Sequence, residues 1–174
     1  PDDDPITVQW YLNGTPTVTT NSYIFIAYYG SAGSYNVTVI ISDGFAQTSH
    51  EWTLTVRPRV KIVEVTPCNA IGNPKDTFAR GTLAYFKVVV NNTGSEPVNI
   101  LITVNIYDSD GVTIGVASFQ GPISPGVTTL ILGLPIPTTA NLGEATVYAG
   151  AFTDWIHNGG VPYCAEVSAT FEIE

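Results

Sequence analysis

The sequence predicts an all-β chain of two β-sandwich domains in tandem, with essentially no helix. Three observations carry this. Apolar and polar residues alternate at period two, as in Tyr35, Val37, Val39 and Ile41 against Asn36, Thr38 and Ile40. Runs rich in Thr, Val, Ile and Tyr are separated by turns containing Gly, Pro, Asp and Asn. No window holds a helical apolar stripe of useful length.

The totals agree. Hydrophobic residues make up 44% of the 174 positions and charged ones 12%, the balance of a packed chain and not of a disordered one. The net charge is −9 with six Lys and Arg, so a phosphate backbone or an anionic membrane surface would repel it. Neither nucleic-acid binding nor membrane insertion is expected, and no apolar run is long enough to span a bilayer. Calcium is the ionic partner that the acidic balance leaves. Without an initiator Met or a signal peptide, the sequence reads as a mature product or an excised piece.

The first predicted strand holds Ile6, Val8, Trp10 and Leu12 on one face, and Asn13-Gly14 is a hairpin signal. A short edge strand is expected over 15–20 and another strand over Tyr23–Ala27. The run from Gly33 to Gly44 is the central strand. Asp43-Gly44 turns the chain into 50–56, with Trp52, Leu54 and Val56 facing inward and Trp52 meeting Trp10. Arg57-Pro58-Arg59 breaks the pattern, since proline cannot continue a central ladder. This places one domain at 1–57 and the other at 58–174.

The second domain opens with a strand over 60–65 and a kinked loop from Cys68 to Lys75. The strand at 83–91 follows, with Phe86, Val88 and Val90 inward. Val98, Ile100, Ile102, Val104 and Ile106 give the cleanest alternation in the chain. Asp108-Ser-Asp-Gly111 is a tight turn into a strand over 112–119, and 121–126 reads as a loop. Strands carrying Leu130, Leu132 and Leu134, then 145–152, then 165–174 complete about seven at sandwich spacing.

These stretches resemble two kinds of prokaryotic surface module. D-D-D-P-I-T-V-Q-W-Y-L-N-G, S-A-G-S-Y-N-V-T-V-I-I-S-D-G and H-E-W-T-L-T-V in the first domain resemble a PKD-type immunoglobulin-like repeat. V-V-V-N-N-T-G-S, I-Y-D-S-D-G-V-T-I-G and I-S-P-G-V-T-T-L in the second resemble the CARDB-like sandwiches. The resemblance implies an immunoglobulin-like fold and a place on archaeal or bacterial surfaces, in S-layers, filaments or appendages of secreted enzymes. It also marks the first domain as short of N-terminal strands, which would leave an apolar inner face to be covered by another subunit.

The sandwich topology so implied brings the segment after the first strand of the second domain beside its last, and predicts a Cys68–Cys164 disulfide. Sequons at Asn13, Asn36 and Asn91 predict an exported glycoprotein, with Asn36 and Asn91 on outward strand phases and Asn13 in a turn. The alternative is solvent-facing asparagines. Asp2, Asp3 and Asp4 with Asp43 form one candidate calcium site, and Asp108 with Asp110 a second, through hard carboxylate oxygens. The competing reading is turn aspartates. His50 and His157 lack the companions of a zinc site. No nucleophile context such as G-x-S-x-G occurs, so no enzyme is expected. The loop holding Trp155, His157, Asn158 and Tyr163 reads as a binding surface, or else as a plug in which Trp155 folds back. The expected function is an extracellular structural building block that assembles with itself. The alternative is a non-catalytic ligand- or carbohydrate-binding module.

Overall fold

The computed structural model describes residues 5–27 and 31–174. The chain is almost entirely β and divides into two compact units, residues 1–57 and 58–174. Among the described residues, no helix is long and apolar enough to cross a membrane.

The first unit is a single four-stranded sheet of β1 (Thr7–Leu12), β2 (Thr15–Pro16), β3 (Gly33–Ser42) and β4 (Gln47–Val56), in the order β2-β1-β3-β4. Asn13 (φ 49°) and Gly14 (φ 77°) both take left-handed backbone, as a tight hairpin turn requires. Beyond Pro16 the edge continues irregularly, with the Trp10 N–H donating to the Val18 carbonyl at 2.9 Å. In this register Trp10 stands opposite Val39, and Trp52 opposite Val37. One face therefore collects Trp10, Leu12, Tyr35, Val37, Val39, Trp52 and Leu54.

Two expectations fail in this unit. Residues 23–27 join no ladder. Their alternation is satisfied differently: Tyr23 stacks on Trp10 (centroids 5.8 Å apart) and Phe25 packs on Tyr35 (4.8 Å), while Ile24 and Ile26 face solvent. Trp52 lies on the expected face, opposite Val37, but is not buried there. It stacks on Trp10 at 5.9 Å but stays 45% exposed, because no second sheet covers this face among the described residues. Among the described residues, the apolar side chains buried in this unit are Val37 and Val39.

The second unit is a two-layer sandwich. One layer is β10 (Gly126–Pro135), β7 (Leu83–Asn92) and β5 (Val60–Cys68), in that order. The other runs β6 (Thr77–Phe78), β12 (Val167–Ile173), β11 (Gly143–Phe152), β8 (Val98–Tyr107) and β9 (Thr113–Ile123). The stretch read as a loop at 121–126 is tighter than expected, since β9 runs through Ile123 before the turn into β10. Between the layers lie Val60 and Ile62, then Phe86, Val88 and Val90, then the inward side chains from Ile100 to Ile106. β11 contributes only small residues, Ala145, Val147, Ala149 and Ala151. Three phenylalanines take up much of the remaining volume. Phe86 lies 5.4 Å from Phe171 and 6.3 Å from Phe78, and Phe78 lies 5.6 Å from Phe171.

Both cysteines are free thiols, which corrects the predicted disulfide. The Cys164 sulfur accepts a 3.4 Å hydrogen bond from the Ile62 N–H, near the start of β5. Cys68 ends the same strand, and at ~3.3 Å per residue that is roughly 20 Å away, far beyond disulfide reach.

Candidate functional site

The sandwich presents a concave surface on the outside of the five-stranded layer. Positions opposite each other in an antiparallel ladder share a face. Tyr107 stands opposite Thr146, Asn105 opposite Tyr148, and Tyr148 opposite Ser168. Tyr107 and Tyr148 are therefore diagonal neighbours on the outer face, a spacing that aromatic side chains can bridge. Their rings meet edge to face, 5.6 Å apart at 87°. Around them is an open groove of about 540 Å³, lined further by Asn105, Thr146, Glu144 and Glu166.

The turn after β8 builds one end of the groove. The Asp108 Oδ1 accepts from the N–H groups of Asp110 (3.1 Å) and Val112 (2.9 Å), closing the turn. Its Oδ2 accepts from the backbone and side-chain N–H of Asn141, both at 3.0 Å. The Ser109 hydroxyl donates to the Leu142 carbonyl at 2.9 Å. These bonds fix the segment leading into β11 and so the position of Glu144. The Asn141 N–H and the other donors hold the Asp108 carboxyl below the usual carboxylate range, against the opposing effect of burial.

The segment 153–163 follows β11 and is held by its own bonds. The Asp154 Oδ1 accepts from the Trp155 N–H (2.7 Å) and from the Gln120 side chain of β9 (3.0 Å). A short 3₁₀ turn, Ile156–Asn158, follows and is ended by Gly159 in left-handed backbone (φ 81°). The N–H groups of Asn158 and Gly160 both return to the Trp155 carbonyl. A Cβ at Gly160 would sit 1.8 Å from the Asp154 carbonyl oxygen, so the loop closes only around glycine. Leu101, an outer-face residue opposite Phe152 and Gln120, is 1% exposed.

The residues expected to form a binding loop are thus divided. Trp155 and His157 lie ring over ring, 6.3 Å apart, with Trp155 half-buried and His157 exposed. Asn158 is exposed beside them. Tyr163 turns to the core, where burial pushes its phenol up against the opposing charge of Arg59.

The calcium candidates do not converge. Asp2, Asp3 and Asp4 lie outside the described residues. The Asp43 Oδ1 caps its own turn, accepting from the Phe45 and Ala46 N–H groups at 2.9 and 2.7 Å. Both oxygens of Asp108 are engaged by N–H donors, and Asp110 is exposed. Among the described residues, no three His, Cys, Asp or Glu side chains gather as a metal site. Short-range turn bonding explains Asp43 and Asp108 instead.

Of the sequon residues, Asn13 accepts from the Asn36 N–H at 2.8 Å through its side-chain oxygen, and so fastens its turn to β3. The Asn36 Oδ1 accepts from Thr38 at 3.4 Å. Asn91 stands opposite Val127 and Lys61 on the outer side of β7. Its neighbour Asn92 is buried and fully engaged, donating to the carbonyls of Glu96 and Ile123 and accepting from the Gly94 N–H.

Sequence reading missed the groove. Its signal was present as Asn105, Tyr107 and Tyr148 on the phases opposite the core residues of β8 and β11.

The chain matches no family model and no curated protein. Its fold is similar to that of the C-terminal domain of Wzt. The likeness has a TM-score of 0.53 at 13% identity and covers 68% of this chain and 75% of that one. A second solved structure is the Pseudomonas fluorescens alkylpurine DNA glycosylase AlkC bound to DNA containing an abasic site analog. It is 18% identical, covers 68% of this chain and 31% of the other, and has a TM-score of 0.45. The first likeness supports a β-sandwich architecture, and the second carries no argument.

Proposed function

We propose that the chain is a non-catalytic glycan-binding module acting outside the cell, with the groove over β8, β11 and β12 as its binding surface. The observation that carries this is the pairing of Tyr107 and Tyr148 with polar neighbours on a rigid, open sheet face. A sugar ring has apolar C–H faces and a rim of hydroxyls. Tyrosine offers both an apolar ring and a polar tip. Asn105 and Thr146 supply donors and acceptors at the rim, and the carboxylates of Glu144 and Glu166 accept from hydroxyls. Such a surface suits a polyhydroxylated ligand better than an oily one, which would need a deeper apolar cleft. The PKD-like and CARDB-like sequence stretches fit the same setting, since such modules accompany surface and secreted proteins.

The experiment is a glycan array probed with the intact chain and with Tyr148→Ala. The reading expects a defined set of glycans retained by the first and lost by the second. No retention above background, or equal retention by both, would contradict it.

One observation favours a second reading, self-assembly. The first unit leaves Trp52 45% exposed, and Ile41 37% exposed, on the apolar face of its sheet. At ~25 cal/mol per Å², covering that face with a second copy would contribute several kcal/mol. Sedimentation across nanomolar to micromolar concentration tests it, and a monomer throughout would refute it.

A further inference from the structure

The charge around the groove has a direction. Glu144 and Glu166 line it, and Asp108 is held ionised at its end. No lysine, arginine or histidine is among the residues lining it. Nearby, Glu144 stands directly opposite Glu172 in the β11–β12 ladder. Like charges in directly opposed positions destabilise a sheet. Neither glutamate is in an ion pair: the one ion pair among the described residues is Lys87 with Glu64, on the other layer. Two further cations of the sandwich have partners elsewhere. Lys75 lies over the Phe78 ring, and Arg59 donates to the carbonyls of Glu96 and Pro97.

We infer that the groove selects saccharides by charge, taking those with free amino groups in preference to neutral ones and excluding those that carry carboxylates. This rests on the glycan reading above and adds the class of sugar. The aromatic pair supplies a surface for any pyranose, and by itself does not discriminate among them. Discrimination comes from the carboxylates on either side of the tyrosines. A uronate placed on Tyr148 meets negative charge with no partner. An ammonium in the same place is a donor to acceptor-only groups. Like-charge contacts at a recognition surface act mainly on specificity, and salt weakens them when they are exposed.

The test uses three methyl glycosides with the same ring, those of glucose, glucosamine and glucuronic acid. Each is titrated into the intact chain by amide NMR at low salt and about pH 6, where a sugar amine is largely protonated. The expected order is glucosaminide over glucoside over glucuronide, with at least about tenfold between the first and the last. That ratio should fall several-fold in ~1 M salt, where screening acts over about 3 Å. It should also collapse in the Glu144→Gln, Glu166→Gln double variant, both of whose positions are exposed and tolerant of change. Binding of the glucuronide as tightly as the glucosaminide would overturn the inference and leave the glycan reading standing. Binding of none of the three would overturn both.

Discussion

Replacing Phe86 with alanine probes the packing that holds the second unit in shape. The ring is 0% exposed and lies between the two inner layers, 5.4 Å from Phe171 and 6.3 Å from Phe78. Removing a fully buried phenylalanine costs about 3–5 kcal/mol. Unfolding entropy is about 2.1 cal/mol/K per residue, so for the residues of 58–174 each kcal/mol moves the midpoint by roughly 4 °C. The expected shift is therefore about 12–20 °C, read by far-UV circular dichroism. Urea unfolding should show a lower midpoint with an unchanged slope. Val112→Ala, at a 55% exposed position of the same unit, is the control and should shift the midpoint by less than ~2 °C. A Phe86→Ala shift no larger than that of the control would refute the packing described.

Other consequences can be checked separately. Asp108 has a lowered carboxyl pKa in the folded chain, so it stabilises the fold above its unfolded pKa of about 3.9 and loses this as pH falls through the folded value. Asp108→Asn should lower the melting temperature at neutral pH, and the gap to the parent should close below about pH 4; parallel curves would contradict this. Gly160→Ala drives a Cβ to within 1.8 Å of backbone oxygen and should cost about 1–3 kcal/mol, with hydrogen-exchange protection lost at Asn158 and Gly160. Intact mass under non-reducing conditions should show two free thiols. The Cys164 thiol should also react ahead of that of Cys68, which is fully buried and whose thiol burial pushes up. A mass short by one disulfide would contradict the placement of Cys164 beside Ile62.

The strands were legible because burial in a sandwich is one-sided. From Val98 to Ile106 the apolar phase is the inner phase, and the structure buries Ile100, Ile102, Val104 and Ile106 without exception. Period two names a face, however, and not what lies over it. Trp52 alternates as cleanly as Ile102 and remains 45% exposed, because cover depends on a second layer. Residues 23–27 show the converse: alternation there marks an extended segment laid on the sheet, not a strand in it. The cysteines failed on a length that topology does not give. Placing two segments side by side does not say which end of β5 Cys164 meets. The groove was hidden by strand order. Tyr107 and Tyr148 become neighbours only because β11 pairs with β8, and nothing local in either strand announces that ladder. Asp108 looked like a metal ligand because a turn aspartate and a calcium ligand share a composition. Its four N–H partners, two of them on Asn141, distinguish the cases.

The central claim is that the outer face of β8, β11 and β12 is the binding surface, and mapping a bound glycan by amide NMR tests it most directly. With the best array ligand, the account predicts shift changes concentrated at Asn105, Tyr107, Thr146, Tyr148 and Ser168. Affinity should drop by about tenfold or more in Tyr148→Ala, the loss of a contact worth at least ~1.4 kcal/mol. Shift changes confined to Trp155–Asn158, or to the Trp10 and Trp52 face of the first unit, with affinity intact in Tyr148→Ala, would contradict it.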